Sequence, residues 1–107
     1  DHFLGNLNLL MLPMKAGVQA CLLDEQNKIY LRKQGFSIQK KDCYGKYISF
    51  LPFTEQVTNV TMRGFRYETD GIVMMIGDSL GISNEVSEEA AEISWDEGIM
   101  IVVESRD

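Results

Sequence analysis

Apolar and polar residues along this chain change places mostly with a period of two, in short runs broken by Gly, Asn and Asp. That period marks strands with one buried face. Runs at 17–23 and 29–33 flank Asp24-Glu25-Gln26-Asn27-Lys28, where the acids and Asn favour a turn, so the pair predicts a β-hairpin. Gly35 allows a further reversal, and 36–40 then alternates, with Phe36 and Ile38 on one side and Ser37 and Gln39 on the other. Tyr44-Gly45-Lys46 predicts a turn and 47–51 a strand. In 57–65, Val57, Asn59, Thr61 and Arg63 form one face and Thr58, Val60 and Met62 a partly buried one, with a bulge at Gly64. A turn at Gly71 leads into 72–76, uniformly apolar and therefore predicted as a central strand; 99–103 predicts a last apolar strand.

Two segments depart from this period. Phe3, Leu4, Leu7, Leu10, Met11 and Met14 are spaced by three and four, which suits one face of a short helix, although a buried strand over 7–12 fits nearly as well. In 84–97, Ser83 or Ser87 can cap a helix whose first turn holds Glu88 and Glu89. Val86, Ala90 and Ile93 would form its buried stripe, and Gly98 its stop. The expected fold is therefore mainly β, an antiparallel barrel or sandwich with one C-terminal helix, with an α+β arrangement as the alternative. The length, 107 residues, suits a single domain spanning 1–107.

Composition adds exclusions. No apolar run approaches the roughly 20 residues of a membrane-spanning helix, so no membrane association is expected. Two cysteines, Cys21 and Cys43, make no disulfide framework and read as free thiols of a cytoplasmic protein. With one histidine, His2, they give no metal-ligand spacing, and no glycine-rich phosphate loop is present, so neither metal nor cofactor is expected. Gly77-Asp78-Ser79-Leu80 matches the nucleophile block of the GDSL esterases, but a serine nucleophile needs a histidine base and none follows Leu80. The string reads as a strand end and loop, and the chain as no enzyme.

Charge is unevenly placed. Residues 1–77 carry nine Lys and Arg against seven Asp and Glu, whereas 78–107 carry Arg106 against nine acids. This is either two solvated faces or a polyanion-binding face with a separate acidic element. Tyr30, Phe36, Tyr44 and Tyr47 are interleaved with the basic residues and could stack on bases.

Phe53-Thr54-Glu55, Thr58 and the strand ending in Arg63-Gly64, together with Lys40-Lys41-Asp42, Gly45 and Ile48, resemble the central block of the trp RNA-binding attenuation protein family; Gly17-Val18-Gln19 resembles the opening of its first hairpin. The resemblance implies a ring of small β-subunits that binds tryptophan and wraps single-stranded RNA. It implies Thr54 and Thr58 near the small ligand, and Lys40, Asp42 and Arg63 against RNA bases, with Lys41 beside them. The leading expectation is a non-catalytic, oligomeric binding or regulatory module that acts through protein surfaces, on a protein partner or by self-association. The alternatives are that RNA-binding ring and a small acidic inhibitor or immunity-type protein.

Overall fold

The computed structural model describes Met11 and residues 20–106. Among the described residues, eight strands make two four-stranded antiparallel sheets. They are β1 (Cys21–Leu23), β2 (Asn27–Arg32), β3 (Phe36–Gln39), β4 (Tyr47–Pro52), β5 (Gln56–Arg63), β6 (Thr69–Met75), β7 (Ala90–Ser94) and β8 (Met100–Ser105). The order is β1-β2-β8-β4 in one sheet and β3-β7-β5-β6 in the other. The two sheets enclose a common core, as a mainly antiparallel β chain of alternating pattern requires.

The first hairpin forms as expected. Cys21 to Leu23 pair with Lys28 to Tyr30, and the Asp24 carboxylate accepts the amides of Gln26 and Asn27 at 2.8 and 2.7 Å. Those two donors hold its carboxyl below the ordinary value. Gly35 then carries the chain from one sheet to the other; a Cβ there would stand 2.7 Å from the Ile93 carbonyl oxygen. Alternation in β3 and β4 points Phe36, Ile38, Ile48 and Phe50 inward. Phe36 meets Tyr30, Phe50 and Trp95 edge-on or tilted, at centroid distances of 6.2 to 6.5 Å.

Three expectations need correction. No helix forms over 84–97: Ala90–Ser94 is β7, between β3 and β5. Its inward residues are Ala91 and Ile93, and buried Trp95 follows at the same spacing. An isolated helix this short is marginal in water, whereas a strand here gains two hydrogen-bonded neighbours. The bulge in β5 lies at Asn59 rather than Gly64. Asn59 has φ 55°, and the register with β6 shifts between Val57 and Val60, so both valines are buried. Asn is among the few residues that adopt this conformation cheaply. Third, the apolar run 72–76 is not central: β6 is an edge strand, with Met74 buried and Val73 and Met75 exposed. The segment suited to a helix over 3–14 lies outside the described residues, apart from Met11, which is helical.

No helix among the described residues is long and apolar enough to cross a membrane. Cys21 and Cys43 are both free.

Candidate functional site

The segment 81–86 runs along the open side between the two sheets and ties them together. Gly81 lies so close to β4 that a Cβ would sit 2.2 Å from the Phe50 carbonyl oxygen, which accepts no side chain there. The Phe50 amide donates to the Gly81 carbonyl at 2.8 Å, and Ile48 and Asn84 exchange two backbone hydrogen bonds at 2.9 Å. On the other sheet's side, Arg66 donates its amide to the Glu85 carbonyl at 2.8 Å, and Phe65 bridges to Val86.

Asn84 is the hub of this seam. Only 1% exposed, its Oδ1 accepts the amides of Tyr67 (3.0 Å) and Glu85 (2.9 Å), and its Nδ2 donates to the Tyr67 carbonyl at 2.8 Å. A buried side-chain amide satisfied this fully fixes local backbone geometry. Beside it Ser83 holds φ 57°, a conformation that costs a non-glycine residue energy and is often kept at working sites. Glu85 pairs with Arg66 at 3.0 Å, which raises the guanidinium's pKa, and the Arg66 guanidinium also lies 5.2 Å over the Tyr67 ring.

The seam opens on a cleft of about 290 Å³ lined by Glu85, Glu104, Lys40, Lys46, Cys43 and Tyr47 among others. Glu104 stands at its floor, 2% exposed on the inner face of β8. The Tyr30 hydroxyl donates to one carboxylate oxygen and the Tyr44 amide to the other, at 2.8 Å. Burial first, then this carboxylate, push the Tyr30 phenol well above its ordinary value. Burial first, then the charges of Glu104 and Asp42, push the Cys43 thiol up as well. The cleft therefore carries two carboxylates, two ammonium groups and an aromatic ring.

The residues singled out from sequence lie elsewhere, with one exception. Lys40, Lys41 and Asp42 form an exposed single 3₁₀ turn after β3. Lys40 reaches the cleft, and both lysines line a groove with Glu88 and Glu89. Arg63 ends β5, bonds to the Thr69 carbonyl and pairs with Asp70 at 3.2 Å. The Thr54 and Thr58 hydroxyls fasten the loop between β7 and β8, accepting the amides of Ile99 (3.0 Å) and Glu97 (3.1 Å). Ser79 sits in the turn after β6, where the Asp78 carboxylate accepts the Met75 amide at 2.8 Å. His2 lies outside the described residues. Sequence reasoning passed over Asn84, Glu85 and Glu104. Ser83-Asn84-Glu85 was there to be seen, but small polar residues followed by acids read as a helix cap.

Residues 34–100 match the family model described as thiamin pyrophosphokinase, vitamin B1 binding domain. The chain belongs to this family. It is 37% identical over 107 residues to the thiamine pyrophosphokinase of Bacillus subtilis (strain 168), covering all of this chain and 50% of that protein. The crystal structure of the Bacillus subtilis enzyme superposes with a TM-score of 0.92 at 36% identity, over 100% of this chain and 50% of that one. The thiamin pyrophosphokinases of Geobacillus thermodenitrificans (TM-score 0.85, 29% identity) and Enterococcus faecalis (0.84, 34%) are likewise covered to 49% and 50% by the whole of this chain. The pyrophosphokinase-family chain described here thus spans about half the length of these relatives.

This membership overturns the resemblance to the trp RNA-binding attenuation protein, and with it the RNA-binding ring. The Phe-Thr-Glu and Arg-Gly strings are short and serve the β7–β8 loop and the β5–β6 ion pair here. The non-catalytic regulatory module, the acidic inhibitor and the expectation that the chain is no enzyme fall with it, because the relatives are thiamine pyrophosphokinases. The chemistry was misjudged because it was sought in nucleophiles and metal ligands.

Proposed function

We propose that this chain binds vitamin B1 as one half of a thiamine pyrophosphokinase, presenting the vitamin's hydroxyl for pyrophosphoryl transfer. The observation that carries this reading is the match of residues 34–100 to the vitamin B1 binding domain. The cleft beside the seam supports it chemically. Thiamin is a flat aminopyrimidine joined to a thiazolium cation, and its diphosphate adds negative charge at the other end. Glu85 and the Tyr47 ring suit the cation; an aromatic face and a carboxylate are the two usual partners of such a group. Lys40 and Lys46 suit the transferred phosphates. Asn84 and the strained Ser83 hold Glu85 in place. The free thiols of Cys21 and Cys43 support a reducing, cytoplasmic setting.

Calorimetric titration of the chain with thiamin tests the reading. Binding is expected, and Glu85→Gln should weaken it at least tenfold, although that change alters the fold little because glutamine keeps the side chain's size and Arg66, the other partner, is largely exposed. Lys46→Met should weaken thiamin diphosphate more than thiamin. Absence of thiamin binding, or a Glu85→Gln variant that binds as wild type does, would refute the assignment.

A further inference from the structure

The loop between β5 and β6 passes close to the seam, and one buried side chain fixes both of them. Asn84 Oδ1 accepts the amides of Tyr67 and Glu85 together, so the Tyr67 ring and the Glu85 carboxylate start from a shared anchor. The Arg66 guanidinium meets both groups: it donates to Glu85 Oε2 at 3.0 Å and lies 5.2 Å from the centroid of the Tyr67 ring. A carboxylate beside an aromatic face is a seat for a flat, delocalised cation. In this structure the chain fills that seat with its own side chain. The frame is firm and the occupant is not. The Glu85 side chain is 22% exposed and Arg66 60%, and among the described residues Glu85 is the only hydrogen-bond acceptor of the Arg66 guanidinium. The other ion pair, Arg63 with Asp70, differs: Arg63 is also fastened to the carbonyls of Met62 and Thr69. A largely exposed pair such as Arg66 with Glu85 contributes little to stability, so one cation is readily exchanged there for another.

We propose that Arg66 stands in for the vitamin's cation: its guanidinium holds Glu85 while the site is empty, and the thiazolium must displace it to bind. The proposal rests on the vitamin site put forward above, of which Glu85 is part, and concerns what that carboxylate does before the vitamin arrives. A half-buried carboxylate facing a ring is costly to leave without a partner, and Arg66 removes that cost in the empty site. Binding then exchanges one cation for another at a single carboxylate, and the affinity reflects the difference between the two pairs rather than the whole of the new one. Arg66 therefore lowers the affinity for every occupant of the seat. Only an occupant with a positive charge of its own restores the pair that was broken. The preference for a cationic ring over a neutral one of the same shape comes from Glu85, and the level of affinity is set by Arg66. The displaced side chain has somewhere to go, since it is already mostly in water and its backbone is tied separately, by the bond from the Arg66 amide to the Glu85 carbonyl at 2.8 Å.

Calorimetric titration of the full chain with thiamin, in a cycle of Arg66→Met and Glu85→Gln, provides the test. Arg66→Met removes the competing charge from an exposed side chain and should tighten thiamin binding about two- to fivefold, the range that a largely exposed ion pair supports. In the Glu85→Gln background no carboxylate holds the arginine, and the same change should leave the affinity within about 1.5-fold. In the wild type, the Arg66 Nε–H resonance should shift as thiamin is added. Weaker binding by Arg66→Met would make the arginine a direct contact of the vitamin and overturn the proposal. Unchanged binding would overturn it too, and so would an equal gain in both backgrounds, since the arginine would then act without Glu85. In each of these cases the wild type still binds thiamin, so the vitamin site stands. Binding by neither wild type nor Arg66→Met would remove the vitamin site itself, and the exchange with it.

Discussion

β8 and β6 have nearly the same sequence character and opposite positions. Ile99 to Val103 and Ile72 to Ile76 are both unbroken apolar runs. β8 lies between β2 and β4, and both its faces are covered. Inward, Met100 and Val102 join the main core; outward, Ile101 packs with Leu31 in a second cluster with Ile29, Leu51, Val103 and Met11. β6 has only its inward side covered, through Met74 and Ile72, while Val73 is 49% and Met75 41% exposed. An unbroken apolar strand therefore states that both of its faces are to be buried. It does not state whether the same chain buries them.

Substitutions on the four faces can break or sharpen this contrast. Ile101→Asp, on the outer face of β8, should have the largest effect, about 3–5 kcal/mol, because it leaves a buried charge without a partner. Chemical denaturation would measure it, and a loss under 1 kcal/mol would mean that the second cluster is not a true core. Met74→Ala, on the inner face of β6, should cost about 2–5 kcal/mol, as a fully buried truncation does. Tyr30→Phe removes the hydroxyl that serves Glu104 on β8 and should cost about 1.5–3 kcal/mol. Because folding raises the Tyr30 pKa above the ordinary 10.0, the stability it contributes is complete below pH 10.0 and falls as pH rises beyond it. Wild type should thus lose more stability than Tyr30→Phe between about pH 9.5 and 11, the titration range of a free phenol, and parallel curves would contradict the buried pair. Val73→Asp, on the outer face of β6, should change the stability of the chain alone by no more than about 0.5 kcal/mol. A large loss there would show that this face is already covered.

Much of the architecture was legible. The Asp24–Asn27 turn, the alternation in β3 and the last apolar strand could all be read from residues within a few positions of each other. What failed were features decided at long range. In 91–96, Ala91, Ile93 and Trp95 alternate with Glu92, Ser94 and Asp96 as clearly as any strand, but Glu88 and Glu89 favoured a helix start and nothing local shows that β3 and β5 wait on either side. The charge division was misleading for the same reason. The acids after residue 78 are not a block: Glu85 meets Arg66, Glu88 and Glu89 face Lys40 and Lys41 across a groove, and Glu104 is buried beneath Tyr30. The candidate site depends on Asn84 and Glu104, which lie 20 residues apart in sequence and are brought to one cleft region only by the seam and β8.

The strand order has a consequence for how the protein is made. β2 and β4 are both synthesised before β8, yet neither pairs with the other; each is hydrogen-bonded to β8, which is translated after the seven other strands among the described residues. Until β8 emerges, the first hairpin has an open flank and Tyr30 has no carboxylate to meet. Pairings this distant in sequence are slow to form, since the loop entropy is lost before the contacts are gained. On the ribosome, one sheet of this sandwich must therefore wait in pieces for its central strand, and a nascent chain halted before β8 would expose apolar faces of both β2 and β4 to whatever chaperone is near.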